Sequence, residues 1–400
     1  MPSQNPVFIP GPTNIPDTLR RAIDYPSVDH RSPEFVEMLA PVLSGVKRIL
    51  KTTAGEAVVF PSTGTGAWEA AISNTLSPGD KVLAAEYGMF SHRWIDLCRK
   101  HGLDVEVIDT PWGEGAPLEA YERALRADTG HTIKAVLACQ NETATGVLSD
   151  IAGLRKAIDN AGHPALLFVD GVSSIASMDF RMDEWGVDIA ITGSQKGFML
   201  PPGLAILGIS PRALDAMKAA KLPRCFFDIP DMLAKNRTGG YPYTPPVALI
   251  RGLEVAIGML EDEGLEQVFA RHHRIAEGVR RAVAGWGLDL CAARPSLYSN
   301  TVSTVRVPDG FDGNEFVALA ASKYAVAFGT GLGKVAGKVF RIGHLGSMTD
   351  VMALSGIATA EMVMADLGYP VELGSGLRAA QEYYRTSAGK SAPAVERHAA

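Results

Sequence analysis

Thr192-Gly193-Ser194-Gln195-Lys196-Gly197 closes a strand-like run, Val187 to Ile191, and opens a loop rich in Gly and Pro. A lysine in that position stands at the mouth of an α/β sheet. Apolar surroundings there penalise its ammonium, lower its pKa and free the neutral amine to attack a carbonyl. Asp170 ends a second buried-strand run, Ala165-Leu166-Leu167-Phe168-Val169, and precedes Lys196 by 26 positions. That interval accommodates one crossover to a neighbouring parallel strand, so carboxylate and amine are expected on one rim.

This pair meets the two demands of pyridoxal phosphate: an amine to hold the aldehyde carbon, and an acid to keep the pyridine nitrogen protonated so that the ring accepts electrons. The phosphate needs an anion cradle. Pro61-Ser62-Thr63-Gly64-Thr65-Gly66 lies between strand-like Ala57 to Phe60 and helical Ala67 to Leu76, and so places backbone N–H groups and the hydroxyls of Thr63 and Thr65 at a helix N-terminus. A Ser/Thr/Gly turn before a helix is commonly simple capping. The inference rests on lysine, acid and cradle together.

The chain has 400 residues, 46% hydrophobic and 20% charged, enough for a large core and two domains. A net charge of −6 leaves no footprint for nucleic acid or an anionic membrane. Met1-Pro2-Ser3-Gln4-Asn5-Pro6 is unlike a secretion signal, and apolar runs fall short of a membrane span, so a cytoplasmic enzyme is expected. Cys98, Cys139, Cys225 and Cys291 lack CxxC spacing and read as reduced thiols.

Short apolar runs alternate with longer amphipathic segments, the pattern of an α/β fold with a mostly parallel sheet covered by helices. Expected strands are 57–60, 81–85, 104–108, 135–138, 165–169, 189–192 and 205–209. Expected helices include 67–76, 92–101, 118–127, 151–161 and 211–220. Residues 1–16, with Phe8-Ile9-Pro10-Gly11-Pro12-Thr13, form an extended arm, of the kind that packs on a partner or closes a site. A large domain (17–260) is followed by a smaller C-terminal α+β domain (261–387) with strands near 302–307 and 338–342. The tail from Ala388 reads as disordered.

Phe8 to Pro16, Asn141-Glu142-Thr143-Ala144-Thr145-Gly146, Leu166 to Ser174, Gly193 to Lys196, Tyr241-Pro242-Tyr243-Thr244-Pro245-Pro246 and Gly337 to Gly343 resemble the class V pyridoxal-phosphate aminotransferases. The resemblance covers nearly the whole chain and lies in the alanine/serine/aspartate–glyoxylate branch. Asp183 to Asp188, Lys196 to Gly203 and His344 to Ser347 carry the closer likeness to its bacterial members. It implies the type I aminotransferase fold and a ping-pong transfer of an amino group to glyoxylate. The implied donor is L-aspartate or L-serine, with aspartate favoured and alanine as the alternative.

The resemblance also implies roles. Lys196 would bind the cofactor aldehyde and Asp170 the pyridinium. Thr63, Gly64, Thr65 and Gln195 would hold the phosphate, and Thr143 would set a hydroxyl against the ring. Phe90 would stack on the ring, where a human member has Trp. Tyr241 and Thr244 would reach the phosphate of a neighbouring subunit, making a homodimer with shared sites. Arg341 would hold the substrate α-carboxylate by a bidentate pair; without the resemblance it reads as a surface strand residue. Arg31, Arg93 and Lys334 are the cations near motif segments that a second donor carboxylate would need.

Other readings are weaker. Gly331-Leu332-Gly333-Lys334-Val335-Ala336 fits G-x-G-x-x-A, but a strand-like run follows at once, with no helix for a pyrophosphate. His272 and His273 project about 100° apart on a helix, cannot chelate one metal and are expected in solvated or capping roles. A cysteine desulfurase would need a nucleophilic cysteine on a mobile loop, and Val326 to Lys338 contains none. A catalytically silent protein of the same fold would be expected to have lost Lys196 or Asp170.

Overall fold

The computed structural model describes residues 5–26 and 28–387. The tail expected from Ala388 and the first four residues of the arm lie outside the described residues. The strands are β1 (Glu56–Ser62), β2 (Lys81–Glu86), β3 (Asp104–Asp109), β4 (Ile133–Cys139), β5 (Asn141–Glu142), β6 (Val147–Leu148), β7 (Leu166–Asp170), β8 (Ile189–Gly193), β9 (Gly203–Ile209), β10 (Val302–Arg306), β11 (Gly329–Thr330) and β12 (Val339–Gly343). Among and after them run α1 (Asp17–Ile23), α2 (Pro33–Ile49), α3 (Gly64–Thr75), α4 (Met89–Lys100), α5 (Leu118–Ala127), α6 (Ile151–Asn160), α7 (Pro211–Met217), α8 (Ile229–Asn236), α9 (Val247–Glu263), α10 (Leu265–Gly285), α11 (Gly313–Tyr324), α12 (Asp350–Asp366) and α13 (Ser375–Ser387).

The seven-stranded sheet has the order β1-β9-β8-β7-β4-β2-β3. All neighbouring pairs are parallel except those made by β9, which runs against both β1 and β8. Strands β7 and β8 are buried along their whole length, as expected where helices cover both faces of a sheet. Alternation divides their side chains: Leu167 and Val169 enter one core cluster with α2 and α9, while Leu166 and Phe168 enter the opposite cluster with α3 and α4. Because β9 is antiparallel to both neighbours, β1 points the same way as β8. The carboxyl ends of β1, β2, β4, β7 and β8 therefore share one edge of the sheet, where α/β folds carry their sites.

A smaller antiparallel sheet, β10-β12-β11, packs with α10 to α13 around a separate cluster that includes Val305, Phe316, Phe340 and Ile357. Phe8 of the arm belongs to this cluster, stacked 5.6 Å from Phe328. Its backbone is pinned as well: Phe8 N–H donates to Ala327 (2.8 Å) and Gly343 N–H donates to the Phe8 carbonyl (2.6 Å). Five residues on, Thr13 N–H donates to the Gln195 carbonyl (3.3 Å). The arm thus spans from β12 to the lysine loop.

His272 corrects an expectation. It is neither solvated nor a cap: α10 presses its ring into the core, with Nδ1 2.7 Å from the Val268 carbonyl, and Gly346 N–H donates to Nε2 (3.0 Å). Burial lowers its pKa to about 3, so it remains neutral. His273 is exposed, and the two rings diverge.

Phe8→Ala should remove a fully buried ring and cost about 3 kcal/mol. A thermal midpoint within error of wild type would show that the arm is not part of this core.

Candidate active site

Strands β7 and β8 are adjacent and parallel, with Asp170 opposite Ile191. Asp170 ends β7, and Lys196 lies three residues beyond β8, in a turn closed by Met199 N–H to the Lys196 carbonyl (2.9 Å) and Leu200 N–H to Ser194 (3.0 Å). Both side chains reach a cavity of about 310 Å³ lined also by Gly64, Thr65, Phe90, Thr143 and Gln195.

Lys196 is buried. Burial, reinforced by the nearby Arg341 cation and opposed by Asp170, lowers its pKa to about 8. Its Nζ donates to the carbonyl of Pro10 in the arm. Gly11 takes φ +105° there, and a Cβ on it would stand 2.5 Å from Nζ. Only glycine meets both constraints.

Burial raises the Asp170 pKa to about 7, against the pull of Val172 N–H, which donates to Oδ1 (2.7 Å). The Cys139 thiol lies 3.7 Å from Oδ2. Such a carboxyl is ready to be ionised by a cationic partner in the cavity, as a protonated ring nitrogen would be. Thr143 fronts the cavity with its hydroxyl 2.7 Å from that of Ser173.

Thr63 is the N-cap of α3, yet its hydroxyl makes no capping bond, and the first-turn amides of α3 face the cavity end of the helix. Gln195 Oε1 and Trp68 Nε1 are buried without a hydrogen-bond partner among the described residues, and both residues line the cavity. Unpartnered buried polar atoms at a helix N-terminus fit an anion, since the Gln195 amide can turn its NH₂ inward. These residues therefore fit the phosphate, ring and aldehyde of pyridoxal phosphate.

Arg341 turns inward from β12 and is buried, unlike a surface strand residue. Its Nε donates to the Thr330 carbonyl (2.8 Å) and Nη1 to the Thr143 carbonyl (3.1 Å). Burial lowers its pKa to about 10, with Glu142 acting the other way. It makes no ion pair among the described residues. A desolvated guanidinium with spare donors is a carboxylate receptor.

Thr63 and Arg341 border the cavity without lining it. Tyr241 and Thr244 are elsewhere: the Tyr241 hydroxyl donates to Val59 (2.8 Å) and its ring meets Phe35 edge-on, while Thr244 is exposed. Of the three candidate cations, Lys334 is paired with Glu86 (2.8 Å), Arg93 lies 5.8 Å from the Phe90 ring centre, and Arg31 borders a separate recess beside Tyr241. Sequence reasoning missed Gly11, Pro12, Trp68, Val172, Ser173 and Pro202 in the lining. Trp68 had a signal, one helical turn after Gly64, and Gly11 and Pro12 had one in belonging to an arm of the kind that closes a site.

The model of the family described as aminotransferase class-V matches residues 21–340. The chain is 69% identical over 385 residues to the L-aspartate–glyoxylate aminotransferase of Paracoccus denitrificans (strain Pd 1222), covering 96% of this chain and 97% of that one. It is 53% identical to the serine–glyoxylate aminotransferase of Hyphomicrobium methylovorum, covering 97% and 96%. The crystal structure of pyridoxamine–pyruvate aminotransferase from Mesorhizobium loti superposes with a TM-score of 0.90 at 29% identity, covering 97% and 99%.

In the apoprotein, Lys196 should react with an amine-directed label with a pH midpoint near 8, well below an exposed lysine, because burial disfavours its ammonium. Peptide mapping across pH gives the midpoint; a value above 10 would contradict the desolvated site.

Proposed function

The chain belongs to the class-V aminotransferases, and we propose that it transfers the amino group of L-aspartate to glyoxylate, giving oxaloacetate and glycine, with L-serine as the poorer donor. The observation that carries the reading is the 69% identity to an L-aspartate–glyoxylate aminotransferase across nearly the full length of both chains. The buried Arg341 beside Lys196 and Asp170 is consistent with it.

Enzymes of this family use pyridoxal 5′-phosphate, which when bound supplies an electron sink for negative charge at the substrate Cα and stores the amino group between half-reactions. Arg341 takes the α-carboxylate and orients the amino acid over the lysine. The Lys196 amine, neutral in a large share of molecules near pH 8, would accept the Cα proton and pass it to the carbon that was the cofactor's aldehyde, the shift that amino-group transfer requires. Asp170 would keep the ring nitrogen protonated, Phe90 and Thr143 would hold the ring, and the first turn of α3 with Thr63, Gly64, Thr65 and Gln195 would hold the phosphate. Water is kept out by the arm, since Gly11 and Pro12 form one wall of the cavity.

The same reading divides the chain into an arm, a large cofactor domain to about residue 260 and a small domain. The separate core cluster, which gathers residues from Ile275 to Tyr384 with Phe8, supports that division. It also makes the enzyme a homodimer in which Tyr241 and Thr244 complete the partner's phosphate site. Neither lines the cavity of its own chain, and the exposed Phe226 stacks on Tyr243 (4.3 Å) beside them, which supports this. A cytoplasmic location is supported by four free thiols. No helix of the described residues is long and apolar enough to cross a membrane.

A donor panel with glyoxylate as acceptor tests the function: kcat/KM should be highest for aspartate, then serine, then alanine. At least about tenfold preference for serine, a difference of about 1.4 kcal/mol, would overturn the donor. Mixing Lys196→Ala chains with Tyr241→Ala, Thr244→Ala chains should restore activity, because each heterodimer assembles one intact site. Heterodimers that stay inactive would place every ligand within one chain.

A further inference from the structure

Glu142 is a buried carboxylate at the rim with no part in the reading above. It is wholly excluded from solvent. It accepts hydrogen bonds from Ser91 N–H (2.9 Å), from Phe90 N–H (3.1 and 3.2 Å to its two oxygens) and from Ala144 N–H (3.1 Å). Two of these donors are first-turn amides of α4, which the helix leaves without internal partners. One of them belongs to Phe90, whose ring fronts the cavity. Burial raises the Glu142 pKa and the three N–H donors oppose that rise.

On its other side Glu142 is bonded to Thr143, whose hydroxyl fronts the cavity and whose carbonyl accepts from Arg341. Its charge acts on Arg341 through space, favouring the guanidinium that burial disfavours. The backbone of Gly88 presses on the same side chain: a Cβ there would lie 2.1 Å from Glu142 Cγ and 2.2 Å from Cδ. Gly88 has φ 178°, extended backbone that any residue adopts, so glycine serves here to leave room for the carboxylate.

We propose that Glu142 is a positioning residue that fixes Phe90 against the cofactor ring and whose negative charge moderates the grip of Arg341 on substrate carboxylates. The proposal rests on the roles given above to Phe90 and Arg341. It has two consequences of opposite sign. Loss of the carboxylate frees the first turn of α4 and loosens the cofactor, while it removes an anion beside Arg341 and tightens carboxylate binding. A residue that merely supported the fold would weaken both.

The test uses the full-length protein, with pyridoxal phosphate binding to the apoprotein followed by fluorescence, and succinate as an unreactive inhibitor of the cofactor-saturated enzyme. Glu142→Gln should weaken cofactor affinity by about tenfold, as expected for charge-assisted bonds lost from buried donors, and lower the Ki of succinate severalfold. Gly88→Ala displaces the side chain and keeps its charge, so it should weaken the cofactor without tightening succinate. Unchanged cofactor affinity in Gly88→Ala overturns the proposal even if the Gln variant does not fold; so does weaker succinate binding in Glu142→Gln. A wild type that transfers no amino group to glyoxylate overturns the underlying reading instead.

Discussion

Removal of water from three ionisable groups is the constraint on which the site depends. Lys196, Asp170 and Arg341 are all held where their charged forms are disfavoured, which brings the lysine to about 8, the aspartate to about 7 and the arginine to about 10. Each is left with hydrogen-bonding capacity directed at the cavity region and little to satisfy it among the described residues. A cofactor with a ring nitrogen, an aldehyde and an anion, followed by a carboxylate substrate, would supply the missing partners. The site is thus costly when empty and favourable when filled, the expected arrangement where binding energy is used to orient reactants.

What keeps water out is contributed from both sheets and from the arm. The carboxyl ends of parallel strands bring Asp170, Lys196, Thr143 and Phe90 to one edge, and β12 brings Arg341 from the other sheet. The arm runs between them, with Phe8 locked into the small cluster and Thr13 bonded to the lysine loop. Its backbone is the wall nearest the reactive amine, and the room for that approach depends on Gly11 lacking a Cβ. A movement of the small sheet relative to the large one would therefore displace a wall of the cavity as well as the arginine.

Much of this was legible in the chain because strand ends announce themselves. An apolar run ending at Val169, just before Asp170, and a strand-like run ending at Ile191, five positions before Lys196, can be read from periodicity, and the interval between them leaves room for a parallel crossover. The expected strands from 57 to 209 all occur, most of them extended at an end by one or two residues where polar residues such as Glu56 and Asp109 still pair, while that expected at 165–169 is shifted by one to Leu166–Asp170. The antiparallel direction of β9 was not legible: the loop from Lys196 to Pro202 returns the chain directly, without a crossover helix, and Gly and Pro content does not state direction. His272 shows the same gap in another form. Adjacent histidines on a helix must diverge, but which of them meets the core depends on what packs against α10.

By itself the sequence determined the chemistry on offer: which strands end in an amine or an acid, which turn precedes a helix with unspent amides, and, through its motifs, which family it resembles. Those are local properties, set by residue type and by the short-range periodicity of strands and helices. Only the tertiary structure decided which groups meet. Arg341 follows Asp170 by 171 positions and the arm precedes Lys196 by more than 180, so their convergence rests on long-range packing of β12, Phe8 and Gly343 that leaves no local trace. Burial was decided there too, and with it the protonation of every group in the site, since a side chain's pKa depends on the water it has lost and on the neighbours it has gained.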